Sequence, residues 1–234
     1  TSIVSKVMEH IVKENLINHF LAENIISEHQ QGFLKHRNTH TQLLECLNYW
    51  TRAVNDGSFV DVLYLDISKA FDSVVHQKLL SVLWCYGIRG KFYGWIKSFL
   101  SNRKQCVKVN SQYSDFAEVT SGVPQGTVMG PILFLAYLND ITAAVQYCHV
   151  KIYADDCKIY FALKSPSDRT QFEIDVENVL HFLDERQLDV SLSKCAMLHI
   201  GYRNPRQKYV FRGIDMPNVD SLNDLGLRVT ADET

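Results

Sequence analysis

Three aspartates in strand-like settings constrain this 234-residue chain more than any other feature. Asp66 closes the apolar run Val62-Leu63-Tyr64-Leu65, and Asp155-Asp156 sits between Val150-Lys151-Ile152-Tyr153 and Cys157-Lys158-Ile159-Tyr160. A carboxylate at the end of an apolar strand is costly to desolvate unless something positive meets it. Neighbouring carboxylates raise each other's pKa unless a cation separates them. Mg²⁺ takes oxygen ligands, commonly one or two carboxylates plus phosphates. Two such ions about 4 Å apart clamp the attacking and leaving oxygens of a displacement at phosphorus. Taken singly, Asp155-Asp156 reads equally well as a hairpin turn, and Asp66 as a strand end or helix cap. Taken together, the three point to a two-ion site.

With 46% hydrophobic residues the chain can bury a substantial core, as one large domain or two small lobes. No apolar run approaches the roughly 18 residues that a membrane span needs. The N-terminus resembles neither a signal nor a transit peptide, and it lacks an initiator Met, which points to a start inside a longer reading frame. Cys46, Cys85, Cys106, Cys148, Cys157 and Cys195 show no CxxC or zinc-type spacing and fit a reducing, intracellular compartment. His36/His40 is the one i,i+4 histidine pair, and without an HExxH pattern it reads as a surface feature.

The net charge of −2 conceals an uneven distribution. Ser73 to Ser114 contains no acid but carries Lys78, Arg89, Lys91, Lys97, Arg103, Lys104 and Lys108, interleaved with Trp84, Tyr86, Phe92, Tyr93, Trp95 and Phe99. Such a block can track a phosphate backbone, although a solvated helix face over core aromatics accounts for part of it.

Periodicity predicts helices over 3–22, 39–55, 73–86, 90–100 and 128–145, and one capped by Ser167 or Asp168 and running to about Gln187. Within this last helix Glu173, Asp175, Glu177, Asp184 and Glu185 read as a solvated face. Strands are predicted at 59–66, 104–110, 115–121, 149–153, 157–162, 195–200, 207–212 and 224–229, with a loop at Gly122-Val123-Pro124-Gln125-Gly126. Strands broken by long helices, with carboxylates converging at strand ends, make an α+β fold.

Leu65-Asp66-Ile67-Ser68-Lys69-Ala70-Phe71-Asp72, Ser121-Gly122-Val123-Pro124-Gln125-Gly126-Thr127 and Tyr153-Ala154-Asp155-Asp156 stand in the order and spacing of a reverse transcriptase. The chain most resembles the non-LTR (LINE-type) retrotransposon group over nearly its whole length. The resemblance implies a right-hand polymerase palm, a ferredoxin-like antiparallel sheet packed with helices, with partial fingers. It divides the chain into partial fingers at 1–58, a first catalytic palm motif at 59–72, a connection with the basic block at 73–121, and palm from 122 to 234, ending near the thumb.

Further implications are RNA-dependent DNA polymerisation with two Mg²⁺ ions (Mn²⁺ as a substitute) on Asp66, Asp155 and Asp156. The partners would be an RNA template, a DNA primer and deoxynucleoside triphosphates, with no membrane, in the cytoplasm and nucleus as a retroelement ribonucleoprotein. Phe71 falls at the family's steric gate, although by composition alone a core Phe is an equal reading. Gly122, Pro124, Gln125 and Gly126 would support template base and nucleotide, beside Tyr153. Lys194, in Leu188-Asp189-Val190-Ser191-Leu192-Ser193-Lys194-Cys195, aligns with a lysine that protonates pyrophosphate. Gln31-Gly32-Phe33 with Arg37 matches a fingers motif, offering Arg37 or Lys35 to phosphate, and Asp224-Leu225-Gly226 resembles the segment closing the palm.

The upstream fingers segment and the thumb are expected outside the sequence, so the chain alone is expected to polymerise poorly or not at all. A binding-only element remnant and a group II intron or retron-type enzyme stay open as alternatives. Gly-Asp-Asp and a smaller gate residue, the common viral RNA-polymerase pattern, are replaced here by Tyr153-Ala154-Asp155-Asp156 and Phe71.

Overall fold

The computed structural model describes residues 2–35 and 37–231; His36 of the His36/His40 pair lies outside them. Helix α1 (Ile3–Ala22) starts at Ser2, whose hydroxyl accepts the Ser5 N–H, and buries Glu9, Val12, Leu16 and Phe20 at helical spacing. Helix α2 (Thr39–Asn55) opens on a reciprocal cap. Asn38 Oδ1 accepts the Thr41 N–H at 2.9 Å, and Thr41 Oγ1 accepts the Asn38 N–H at 3.2 Å. Strand β1 (Phe59–Leu65) follows, then α3 (His76–Cys85) and α4 (Gly90–Leu100). Helix α3 begins later than its periodicity suggests because Val75 stays extended and bridges Ser121.

The two strands expected at 104–110 and 115–121 divide into two short ladders: β2 (Lys104–Gln105) with β5 (Ala117–Glu118), and β3 (Lys108–Val109) with β4 (Gln112–Tyr113). Asn110 and Ser111 turn the inner ladder, both at positive φ as a type I′ turn requires. Residues 107–118 are exposed throughout, so no core extends the pairing.

Helix α5 (Gly130–Leu138) is buried at every residue except the half-buried Pro131, as expected of a segment apolar on all sides. It is shorter than the predicted 128–145, because Asn139–Ala144 tightens into a 3-10 helix. The chain continues through β6 (His149–Tyr153), β7 (Asp156–Leu163), α6 (Pro166–Glu185) and β8 (Ala196–Ile200). It ends in β9 (Val210–Phe211), β10 (Ile214–Asp215), β11 (Asn218–Val219), β12 (Ser221–Asp224) and β13 (Leu227–Thr230). The cap of α6 is Ser165 rather than Ser167 or Asp168. Pro166 suits only the first helical position, and the Asp168 carboxylate reaches back to accept the Lys164 and Ser165 N–H groups, each at 2.8 Å.

These elements form two compact units: Thr1–Ile26 with Lys69–Leu138, and Ser27–Ser68 with Asn139–Thr234. In the first, the buried Glu9 carboxylate of α1 accepts the Val128 and Met129 N–H groups that lead into α5, at 2.6 and 3.2 Å. An anion there complements the helix dipole and satisfies donors that α5 cannot.

The second unit is built on a sheet of order β11-β8-β1-β7-β6, antiparallel except for the β11–β8 pair. The four strands β8-β1-β7-β6, with β6 and β7 a direct hairpin and α6 leading to β8, have the split βαβ arrangement of ferredoxin-like sheets. One sheet face presents Val60, Val62, Tyr160, Leu198 and Ile200 to Cys46 and Trp50 of α2. The other meets α6, whose Phe172, Val176, Val179, Leu180 and Leu183 are inaccessible to solvent.

Asp175 does not belong to a solvated face. It is completely buried and accepts the N–H groups of Gln146, Tyr147 and Cys148 at 2.9, 2.6 and 2.7 Å. Glu173, Glu177 and Asp184 do lie outward, paired with Arg169 or Arg212. Among the described residues no helix is long and apolar enough to cross a membrane.

Candidate active site

The three aspartates are brought together by register. Strand β1 pairs β7 with Leu65 opposite Cys157, the last rung before Asp66. One residue further, the same register sets Asp66 beside Asp156, where opposed Cβ atoms lie about 5 Å apart. Strand β6 pairs β7 with Tyr153 opposite Asp156, so Ala154 and Asp155 form a two-residue loop at the sheet end. Ala154 has a φ of +58°, at a loop position where hairpins favour glycine.

Asp66 is half-buried, and its backbone is pinned by the segment carrying Lys194. Ser191 N–H donates to Asp66 O at 2.9 Å, Asp66 N–H to Cys195 Sγ at 3.4 Å, and Ser68 N–H to Asp189 O at 2.8 Å. A cleft of about 240 Å³ is lined by Asp66, Asp155, Asp156 and the exposed Lys194, together with Tyr64, Lys158 and Asp224.

The alternation of β1 and β7 explains what lies beneath. Going outward on one sheet face, the core residues Val62 and Tyr160 give way to Tyr64 and Lys158, and these to Asp66 and Asp156. Lys158 is buried in an ion pair with Asp224 of β12, and Tyr64 Oη donates to the same carboxylate at 3.0 Å. Burial holds the Tyr64 hydroxyl well above its ordinary pKa. Sequence reading missed Lys158, Asp224 and Tyr64 as a unit; the one available signal was a lysine at an inward position of an otherwise apolar strand.

Asp156 reaches solvent at its edge, yet partial desolvation raises its carboxyl above the ordinary range. Asp155, Asp224 and Asp66 add to the rise, and Lys158 opposes it. Among the described residues no hydrogen bond or ion pair engages the side chains of Asp66, Asp155 or Asp156. No group of three His, Cys, Asp or Glu there is drawn close enough to hold a metal ion. The donor set, three unengaged carboxylates on one cleft, suits hard divalent ions.

In the first unit, Gly122 docks on Asp72. A Cβ there would lie 2.9 Å from both Asp72 Cα and Asp72 O, so only glycine allows the approach. Val123 N–H donates to Phe71 O at 2.8 Å, and Gln125 Nε2 to Asp72 Oδ1 at 2.8 Å. Phe71 is half-buried, stacked on Phe134 with ring centroids 4.4 Å apart, and lines a cleft with Pro124, Gln125 and Gly126. It is thus both a packing residue and a cleft residue. The basic block is largely exposed, with Lys78 and Arg103 half-buried.

Arg37 belongs to the second unit, where its Nη1 donates to Ser27 O at 3.0 Å and to Gln30 O; Lys35 is exposed. Tyr153 ends β6 opposite Asp156.

A split βαβ sheet with carboxylates at the end of its central strand is the palm of a nucleic-acid polymerase. Residues 1–229 match the reverse transcriptase (RNA-dependent DNA polymerase) family, and the chain belongs to it. It is 28% identical over 168 residues to the probable RNA-directed DNA polymerase from transposon BS of Drosophila melanogaster, covering 69% of this chain and 18% of that protein. To the corresponding X-element protein of the same organism it is 33% identical over 138 residues, covering 59% and 15%. The polymerase of the mobile element jockey, also from Drosophila melanogaster, is 30% identical over 173 residues, covering 69% and 18%. These relatives are non-LTR retrotransposon polymerases, the group the motifs resemble, and the chain spans less than a fifth of their length.

Apo telomerase from Candida tropicalis is similar in fold, with a TM-score of 0.63 at 14% identity, covering 96% of this chain and 41% of that one. Telomerase from the same organism in complex with a fragment of telomeric RNA gives a TM-score of 0.59 at 12% identity, covering 98% and 37%.

Proposed function

We propose that this chain carries out RNA-templated DNA synthesis by two-metal nucleotidyl transfer, within a non-LTR retroelement protein inside the cell. One observation carries the reading. Asp66, Asp155 and Asp156 line one cleft with Lys194, and among the described residues no hydrogen bond or ion pair engages their carboxylates. Asp66, Asp155 and Asp156 would hold two Mg²⁺ ions, or Mn²⁺, which when bound supply charge to activate a primer 3′-hydroxyl and stabilise the phosphorane.

The remaining roles fall to the chain's own groups. The Lys158–Asp224–Tyr64 network keeps the cleft floor rigid beneath the carboxylates. Lys194 is exposed on the cleft, where an ammonium can pass a proton to departing pyrophosphate. In the first unit Phe71 would exclude a ribose 2′-hydroxyl, with Gly122, Pro124, Gln125 and Gly126 supporting the nucleotide and template base. Tyr153 fixes the hairpin end. Arg37 holds the backbone carbonyls of its own segment through Nη1, and its other guanidinium nitrogens would meet phosphate. The basic residues from Lys78 to Lys108 would track RNA template and DNA primer by counterion release.

Primer extension on poly(rA)/oligo(dT) with Mg²⁺, by the chain within its longer protein, tests the reading: dTMP addition is expected, and is expected to be lost in Asp155→Asn/Asp156→Asn. Phe71→Ala is expected to raise ribonucleotide incorporation. Extension that survives loss of both carboxylates overturns the proposal. Salt-sensitive binding without extension by that longer protein would select the binding-only alternative.

A further inference from the structure

We infer that Gly32 is a positioning residue for the catalytic hairpin: the Gln30-Gln31-Gly32 segment props the Ala154–Asp155 turn, and only a side chain without Cβ lets it. The inference rests on the polymerase reading of Asp155 and adds to it the element that holds this carboxylate in place.

Strand β6 is an edge of the sheet, and an open edge is free to move unless something covers it. Residues 29–31 cover it here. Ile152 N–H donates to His29 O at 3.1 Å, and Gln31 N–H to Ile152 O at 2.9 Å, so the segment adds a bridge parallel to β6 just before the turn. It is fastened from behind. The buried Gln30 side chain accepts the Gly32 N–H at 2.8 Å, and Arg37 Nη1 donates to the carbonyls of Ser27 and Gln30.

Gly32 then passes directly against the turn. A Cβ on it would lie 2.6 Å from Ala154 N and 3.4 Å from Ala154 Cα. Its φ is not in the left-handed region, so space, not backbone conformation, demands glycine. Gly57, Gly126 and Gly213 are the reverse case, with positive φ and nothing within 4 Å of an added Cβ.

The turn needs support. Ala154, not glycine, holds a φ of +58°, and Asp155 next to it is exposed, its carboxylate bonded to none of the described residues. With Gly32 against Ala154 N, the Tyr153–Ala154 peptide that leads into the turn cannot swing toward the Gln30–Gly32 segment. A catalytic group displaced by about 1 Å loses on the order of 10²-fold in rate, so a backbone prop here bears on chemistry as well as on folding.

Mn²⁺ binding to the 234-residue chain, followed through the electron paramagnetic resonance of free Mn²⁺, tests the inference without relying on turnover. Gly32→Ala is expected to weaken Mn²⁺ binding about tenfold, measured where circular dichroism shows the variant folded. Gly57→Ala, which forces alanine to positive φ away from the site, is expected to lower the melting temperature and leave Mn²⁺ affinity unchanged. If Gly32→Ala does not fold, Arg37→Ala releases the same segment without crowding the turn, with an expected loss of about threefold. Unchanged Mn²⁺ affinity in both variants overturns the inference. No Mn²⁺ binding by the unaltered chain instead sinks the metal-ligand reading on which it rests.

Discussion

Asp61 and Asp66 sit five residues apart along one strand and its exit, and they live in opposite worlds. Asp61 is 2% exposed, and three side chains satisfy it: His199 Nδ1 at 2.7 Å, Asn204 Nδ2 at 2.8 Å and Tyr209 Oη at 2.5 Å. Asp66 opens on a cleft beside two more aspartates, and its carboxylate is engaged by none of the described residues. The buried end spends its charge on holding β1, β8 and the segment around Tyr209 together. The open end leaves its charge uncompensated, at some cost to the folded state, available to a cation. A paired buried carboxylate serves the fold, whereas a group of unpaired ones on a cleft is a candidate site for chemistry.

The sharpest way to break this contrast is Asp155→Asn. Removing one electrostatic stabiliser from a reacting centre lowers the rate by about 10²–10³-fold, read by primer extension. The same change relieves repulsion on Asp156, so the melting temperature is expected to hold or rise. A fall in stability with no loss of rate would put Asp155 in the structural class and dissolve the distinction.

Asp61→Ala should show the opposite profile. Three donors lose a charged acceptor in a buried setting, and the stability lost is on the order of 3 kcal/mol, measured by urea denaturation. Activity per folded molecule is expected to be unchanged. If it falls as well, the two ends of the strand are coupled rather than independent.

The smallest effect belongs to a third kind of aspartate, exposed but hydrogen-bonded. Asp168 accepts the Lys164 and Ser165 N–H groups, and the Lys164 backbone bond leads the causes that hold its carboxyl below the usual range. Its folded pKa lies under the unfolded value of 3.8, so its stabilisation is complete above that pH and is lost as the pH falls through the lowered value. Asp168→Ala, which removes the return half of the capping box, is expected to cost about 1 kcal/mol at pH 7. The difference from the parent should vanish in acid melts.

Much of this was legible in the chain. The spans 3–22, 39–55 and 90–100 match α1, α2 and α4 because helical periodicity and caps such as Asn38 act within four residues. The motifs around Asp66, Gln125 and Asp155 were legible for the same reason, each being a short run with its own local chemistry. Asp175 was misread because an acid within a helix carries no mark of burial. Its three donors come from Gln146–Cys148, brought close by the fold. Glu9 was missed likewise, since its partners lie more than a hundred residues away.

The sequence by itself therefore determined which residues carry the charge, the long helices and core strands, and the family to which they belong, but not the short ladders or the turn at Leu225-Gly226 inside the expected strand at 224–229. Tertiary structure alone decided which charges are neutralised. Sheet order β8-β1-β7-β6 sets Asp61 against His199 and Asp66 beside Asp156, and the β12–β13 ladder brings Asp224 to Lys158. Propensity and periodicity are sums over near neighbours, whereas a carboxylate's energy depends on whatever lies within a few ångströms of it in space. Strand register, not local sequence, settles what that is.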